Sequence, residues 1–212
     1  MRSRWLGIAA ALLAVIISIV LWPKLPPELV THWNPRGDPD GSSSRVWAVV
    51  AGPAIILGLT LLLQVLPRID PWRENYARFA DLYWLVMNGL LLCVLVLHVA
   101  VLAAGAGAGV SVQRVSAGGL AVLMLVLGNS MGRLRRNWFM GVRTPWTLDS
   151  PDVWRRTHRV AAWLFVGAGI LTGGAALIPR INPLVVGFVA VIVAALGSAA
   201  LSLVFWLQER RS

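Results

Sequence analysis

The stretch Phe79-Ala-Asp81-Leu-Tyr-Trp84-Leu-Val-Met-Asn88-Gly-Leu-Leu-Leu-Cys93-Val-Leu-Val-Leu-His98-Val-Ala-Val-Leu-Ala103 decides the class of this chain. Beyond Asp81 it carries no Asp, Glu, Lys or Arg, and its apolar positions run on continuously instead of returning on one helical face. An uncharged run of about 18 residues or more is long enough to cross the hydrocarbon layer as a helix. Barrel strands would instead show short alternating segments. Working outward, comparable runs cover 5–22, 46–66, 115–130, 159–178 and 184–206. The expectation is an all-α, polytopic membrane helix bundle of about six transmembrane helices in the cell membrane.

Composition agrees. Of 212 residues, 58% are hydrophobic and 13% charged, with mean hydropathy +0.73; a soluble domain carries about a quarter charged residues. The net charge of +10 raises a nucleic-acid reading. The basic residues lie in the short connections, however, where they set topology and meet anionic headgroups, so the expected partners are membrane lipids and no direct nucleic acid. Cys93, the single cysteine, lies in an apolar run and behaves as a small hydrophobe. Arg2 and Arg4 precede an apolar run that is longer than the core of a signal peptide. Trp22-Pro23-Lys24 offers no small-residue cleavage site, so this run reads as an uncleaved first span.

Breakers separate the spans: Pro23, Pro26 and Pro27; Pro67 and Pro71; Gly105, Gly107 and Gly109; and Pro179 with Pro183. Fourteen of the 19 Lys and Arg residues fall at the two termini and in the second and fourth connections. This bias predicts an N-in, C-in orientation with the fourth connection cytoplasmic. Most Trp residues, among them Trp5, Trp47, Trp138, Trp154 and Trp163, lie near span ends, where amphipathic rings suit the interface.

The first external connection, Leu25 to Gly41, contains His32-Trp33-Asn34-Pro35, Gly37-Asp38-Pro39 and Asp40-Gly41, each favouring a turn. It reads as a compact, specifically shaped loop. Glu28, His32, Asp38 and Asp40 match no metal-ligand signature, so a histidine packed in a turn is preferred, with no metal and no cofactor.

The fourth connection interleaves arginine with aromatic residues: Gly128-Asn129-Ser-Met131-Gly132-Arg-Leu-Arg-Arg136-Asn137-Trp138-Phe139-Met140-Gly141-Val142-Arg143-Thr144-Pro145-Trp146-Thr147-Leu148-Asp149-Ser150-Pro151-Asp152-Val153-Trp154-Arg155-Arg156-Thr157-His158-Arg159. Ser150-Pro151-Asp152 is a helix start that should run unbroken into the fifth span. Trp154 and His158 should share a face, and Asp152 should pair with Arg156. Ahead of that cap, Gly132 and Gly141 act as pivots, and the rings can lie in the headgroup layer with guanidiniums on phosphate. Anchoring does not call for Asn129, Asn137, Thr144, Pro145 or His158, so the loop reads as a docking or ligand surface.

Within the spans, Asn88, His98 and Asn129 are costly unless paired, and interhelical hydrogen bonding is the expected use. A small transporter using these three groups is the rival reading, weakened by the lack of a mid-span acid. No nucleophile–base pair stands at a recognisable spacing, so no enzyme is expected.

The stretch Gly-Asn-x-Met-Gly…Asn-Trp-Phe-x-Gly-Val-Arg-Thr-Pro-Trp-Thr-Leu…Val-Trp-x-x-Thr-His-Arg, Gly128 to Arg159, resembles the signature of the SdpI immunity-protein family. The first half is similar to the DUF1648 module that precedes it in that family, through Leu25-Pro26…His32-Trp33-Asn34…Gly37…Asp40 and Leu66-Pro67-Arg68-Ile69-Asp70-Pro71…Glu74-Asn75. Arg45 stands where that module carries Lys. The resemblance divides the chain into a DUF1648-like module over 1–77, with two helices and the external loop, and an SdpI-like module over 78–212, with four helices and the loop 131–158. It implies a membrane protein that confers resistance to a secreted antimicrobial peptide toxin and signals by holding a winged-helix repressor at the membrane. On that reading His32, Asn34, Gly37 and Asp40 meet the toxin. Asn129, Asn137, Gly141, Arg143, Thr144, Pro145, Trp146, Thr147, Trp154 and His158 form the cytoplasmic partner-binding motif.

Overall fold

In the computed structural model, residues 4–34 and 38–211 are described; Gly37, one of the anticipated toxin contacts, lies outside them. The chain opens with α1 (Arg4–Leu21), followed by a hairpin of β1 (Glu28–Trp33) and β2 (Pro39–Ser44) and then α2 (Arg45–Ile69). A short 3-10 segment, Arg73–Arg78, leads into α3 (Ala80–Gly105) and α4 (Val112–Met131). The five-residue α5 (Pro145–Asp149) precedes α6 (Pro151–Leu177) and α7 (Pro183–Glu209). Six of these helices are long and apolar enough to cross a membrane. Consecutive crossings place the hairpin and the α3–α4 and α6–α7 turns on one face. The α2–α3 connection, the α4–α6 loop and the end of α7 lie on the other.

The breakers act a little differently from their reading in the sequence. Helix α2 continues through Pro67 to Ile69 and carries Pro53 buried in its interior. Helix α6 begins at Pro151 and runs unbroken to Leu177, as the Ser150-Pro151-Asp152 start predicts, with Ser150 Oγ accepting from the amides of Asp152 and Val153 at 3.2 Å each. The hairpin was not anticipated; the turn-rich loop was. Glu28 stands opposite Ser44 and His32 opposite Gly41, with irregular register around His32. Gly41 has to lack a Cβ, because one would lie 2.9 Å from the Cβ of His32.

Helix α3 packs against both α1 and α2, and also against α4; α6 packs against α4 and α7. One core joins Ala10, Ala14, Ile56, Leu63, Leu91 and Leu95. A second joins Tyr83, Met124, Met131, Trp154, Phe165 and Ala168. Small residues bring the backbones together, as expected where lipid supplies no hydrophobic force between helices. A Cβ on Gly128 of α4 would lie 2.8 Å from the backbone of Ala162 and Val166 in α6, and one on Gly169 would lie 2.9 Å from Ala121 O. Outward faces carry Leu12, Ile19, Leu61, Leu171, Phe188 and Leu196, all exposed, which suits contact with acyl chains.

Intramembrane polar groups divide. His98 Nε2 lies 2.9 Å from Ser18 Oγ, which also donates to Ala14 O at 2.8 Å, so α1 and α3 share the interhelical bond anticipated for His98. Asn88 departs from that expectation: its Oδ1 is buried with no hydrogen-bond partner among the described residues. Asn129 is exposed near the end of α4.

Candidate functional site

On the hairpin face, Leu25 and Leu29 are buried against Ala48 and Leu102, which seats the hairpin on the ends of α2 and α3. Arg45 fixes the return: its amide donates to Pro27 O at 2.8 Å, and its guanidinium lies 4.2 Å from the centre of the Trp22 ring. A planar cation suits that stack, which gives the Arg at this position a physical use. His32 Nδ1 and Asp40 Oδ1 are 2.6 Å apart across the strands, both exposed. Asn34 closes the turn, accepting from the Asp38 amide at 3.0 Å through Oδ1 and donating its own amide to Asp38 O at 3.0 Å. Three of the four anticipated toxin contacts thus gather at the hairpin tip. Among the described residues no group of three or more His, Cys, Asp or Glu is placed to hold a metal ion. Beneath the tip, Glu28, Val30, Trp33, Pro39, Gly105 and Val110 border a cleft of about 290 Å³.

On the opposite face the α4–α6 loop is a folded knot, not a segment spread in the headgroup layer. Asn137 is fully buried. Its Nδ2 donates to Arg135 O at 2.8 Å and Met140 O at 3.1 Å, while its Oδ1 accepts from the amides of Phe139 at 2.9 Å and Met140 at 2.7 Å. All four hydrogen-bonding positions of one amide are therefore spent on shaping the turn. Trp154 stacks on His158 with ring centroids 4.0 Å apart and donates Nε1–H to Leu134 O at 3.0 Å. His158 Nε2 accepts from Val142 N–H at 3.0 Å, so the ring proton sits on Nδ1, 2.8 Å from Trp154 O. Gly141 adopts φ +105 and its Cβ position would overlap His158 Nε2. Thr144 and Thr147 form a reciprocal capping box at the start of α5, with Pro145 at the first helical position. Thr144 Oγ1 is also 2.9 Å from Ser202 Oγ of α7.

Two readings of this loop are corrected. Asp152 pairs with Arg155 instead of Arg156. Arg156 is drawn away to Gln208 Oε1 at 2.6 Å and to the Phe205 ring, both on α7. Trp154 is buried, not an interfacial anchor, whereas Trp5, Trp47 and Trp163 are exposed. Asn137, Thr147, Trp154 and His158 are all 3% exposed or less, so what they offer a partner is the shape of the loop. Asn129, Arg143 and Pro145 are exposed, and Trp146 is half-buried.

Asp70, at the end of α2 and not among the site residues expected from the sequence, is 2% exposed. Its Oδ1 accepts from the Trp72 amide at 2.8 Å. Its Oδ2 accepts from Tyr76 Oη–H at 2.9 Å and from the Trp138 amide at 2.8 Å. Beside it Asn75 Nδ2 donates to Arg136 O at 2.8 Å, and the Arg136 guanidinium lies 4.5 Å from the Trp72 ring centre. Burial, reinforced by the bond to Asp70, pushes the Tyr76 hydroxyl well above its ordinary range, so it stays a donor. The signal available was an acid closing an apolar run among basic neighbours, Arg68 and Arg73.

Residues 133–206 match the SdpI/YfhL protein family, and residues 9–57 match a domain of unknown function, DUF1648. The chain is similar to the Immunity protein SdpI of Bacillus subtilis (strain 168), 27% identical over 171 residues that cover 81% of this chain and 80% of the relative. No solved structure matches. With six spanning helices and this likeness, the chain is a multi-pass cell membrane protein.

Proposed function

Because this chain carries an SdpI/YfhL segment behind a DUF1648 segment, we propose that it is a membrane immunity protein that protects its producer from a secreted antimicrobial peptide. The observation that carries this reading is the likeness to an immunity protein along four-fifths of both chains. It acts as a binding protein rather than a catalyst. Residues 1–77 form the module that meets the peptide outside the cell, through His32, Asn34 and Asp40 at the hairpin tip and through Gly37, which lies outside the described residues. Residues 78–212 form the module whose loop, from Asn129 to His158, faces the cytoplasm and holds a winged-helix repressor while peptide is bound. A pre-shaped hairpin above an apolar cleft supports the first half: a rigid recognition element loses little entropy on binding. A preorganised knot joined to residues 1–77 through Asp70 supports the second. For peptide binding to alter the knot, the peptide has to favour one of two arrangements of the bundle.

The test is survival of a sensitive bacterium that expresses the chain and is exposed to the secreted peptide. Arg143→Ala and Trp146→Ala should abolish protection at normal membrane levels. Protection equal to wild type in both would count against the reading.

A further inference from the structure

A cleft of about 340 Å³ opens where α4, α6 and α7 meet the turn Gly141–Thr144. Its walls are apolar, supplied by Leu127 and Met131 of α4, Phe165 of α6, and Ala195, Leu196 and Ala199 of α7. The polar end is the turn, where Arg143 is the one charged lining residue among those described. We propose that this cleft binds one anionic phospholipid, its phosphate on Arg143 and an acyl chain along Leu127, Phe165 and Leu196.

Three observations carry the assignment. The first is access: Ala195 and Leu196 are exposed on the outer side of α7, Leu196 by 66%, so the cleft opens sideways to the bilayer. A ligand reaching it that way is a lipid and not a solute. The second is charge. No acidic residue lines the cleft, and Arg143, on the turn at its polar end, carries a planar, two-pronged donor set that complements a phosphate. Arg143 Nη1 donates to Trp138 O at 2.7 Å, which holds the side chain in place from within the knot. The third is preorganisation. The turn that forms the rim is tied to His158 through Val142 N–H and to α7 through Thr144 Oγ1. The rim therefore exists before the lipid arrives, and little ordering cost falls on binding.

The experiment is native mass spectrometry of the full chain, delipidated in detergent and titrated with phosphatidylglycerol or with phosphatidylcholine of the same acyl chains. The wild type should prefer phosphatidylglycerol by about tenfold, the scale of one lost charge-assisted pair. Arg143→Gln should erase that preference by weakening phosphatidylglycerol more than phosphatidylcholine. Ala195→Trp, a substitution from an exposed position that fills the cleft, should weaken both lipids. Millimolar inorganic phosphate should not displace the lipid. Equal affinity of the wild type for the two lipids, an undiminished preference in Arg143→Gln, or displacement by phosphate alone would overturn the proposal. Wild-type binding of both lipids by Ala195→Trp would do the same. Thermal melting of each variant in the same detergent separates lost binding from lost fold.

Discussion

Asp70 is a buried carboxylate that accepts hydrogen bonds from Trp72, Tyr76 and Trp138, the last of them 68 positions away in the chain. Asp70→Ala leaves those donors without their acceptor in a place water reaches poorly, and should cost about 2–4 kcal/mol in equilibrium unfolding in detergent. Tyr76 shares this environment. Its folded pKa is raised, so the neutral hydroxyl's contribution is complete below the ordinary tyrosine pKa of about 10 and fades as pH climbs through the higher folded value. An alkaline stability profile should therefore bend downward above about pH 10. Tyr76→Phe should shrink that bend, and an unchanged profile would refute the assignment. At Gly141 the constraint is conformational and steric together: φ is +105, and any Cβ would run into the His158 nitrogen that accepts from Val142. Gly141→Ala should destabilise the fold by about 1–3 kcal/mol, read from the same unfolding curves. None of these three roles needs a ligand, and all three act on the shape of one loop.

At the scale of elements, the six long helices were legible because each depends on an uninterrupted apolar run that nothing elsewhere in the chain has to complete. The start of α6 was legible for a similar reason, since Ser150, Pro151 and Asp152 satisfy the helix end locally. The hairpin was not. Pro39-Asp-Gly-Ser-Ser-Ser44 has no strand propensity of its own; it pairs because Leu29 is buried below it and Arg45 ties its return to Pro27. The knot was half legible. Its residue types announced a specific structure, yet the burial of Asn137 and Thr147 comes from contacts inside the loop that spacing does not reveal. Asp152 chose Arg155 over Arg156 because Gln208 and Phe205 of α7 compete for the latter, a tertiary fact. The α4–α6 seam yields a prediction at this scale. Gly128→Leu places a side chain where the α6 backbone already lies, so it should lower the yield of folded protein on size-exclusion chromatography far more than Gly58→Leu, whose Cβ would meet nothing within 4 Å.

The whole molecule raises the question of how an event at the hairpin reaches the knot. Helix α3 begins beside Tyr76 and Phe79 and ends at Gly105 beneath Leu29, and along the way it packs on both halves of the bundle. Its lower end is tied to the α4–α6 loop by Asp70, Asn75 and the Trp72–Arg136 stack. A change in how the hairpin rests on α2 and α3 therefore has a short route to the knot, and Asp70 lies on it. Orientation and coupling can be tested on a Cys93→Ala background. A cysteine replacing Ser43 should react with a membrane-impermeant maleimide in whole cells, and one replacing Arg135, exposed on the opposite face, only after lysis. With that frame established, the secreted antimicrobial peptide added outside right-side-out vesicles should slow labelling of the Arg135→Cys chain by a membrane-permeant maleimide. Asp70→Asn, which keeps the side chain's size but lacks an acceptor for one of its donors, should remove this slowing while Ser43→Cys still reports peptide contact. If the Asp70→Asn chain transmits peptide binding as fully as its parent, coupling does not run through this carboxylate, and the two faces communicate through the α4–α6 seam or not at all.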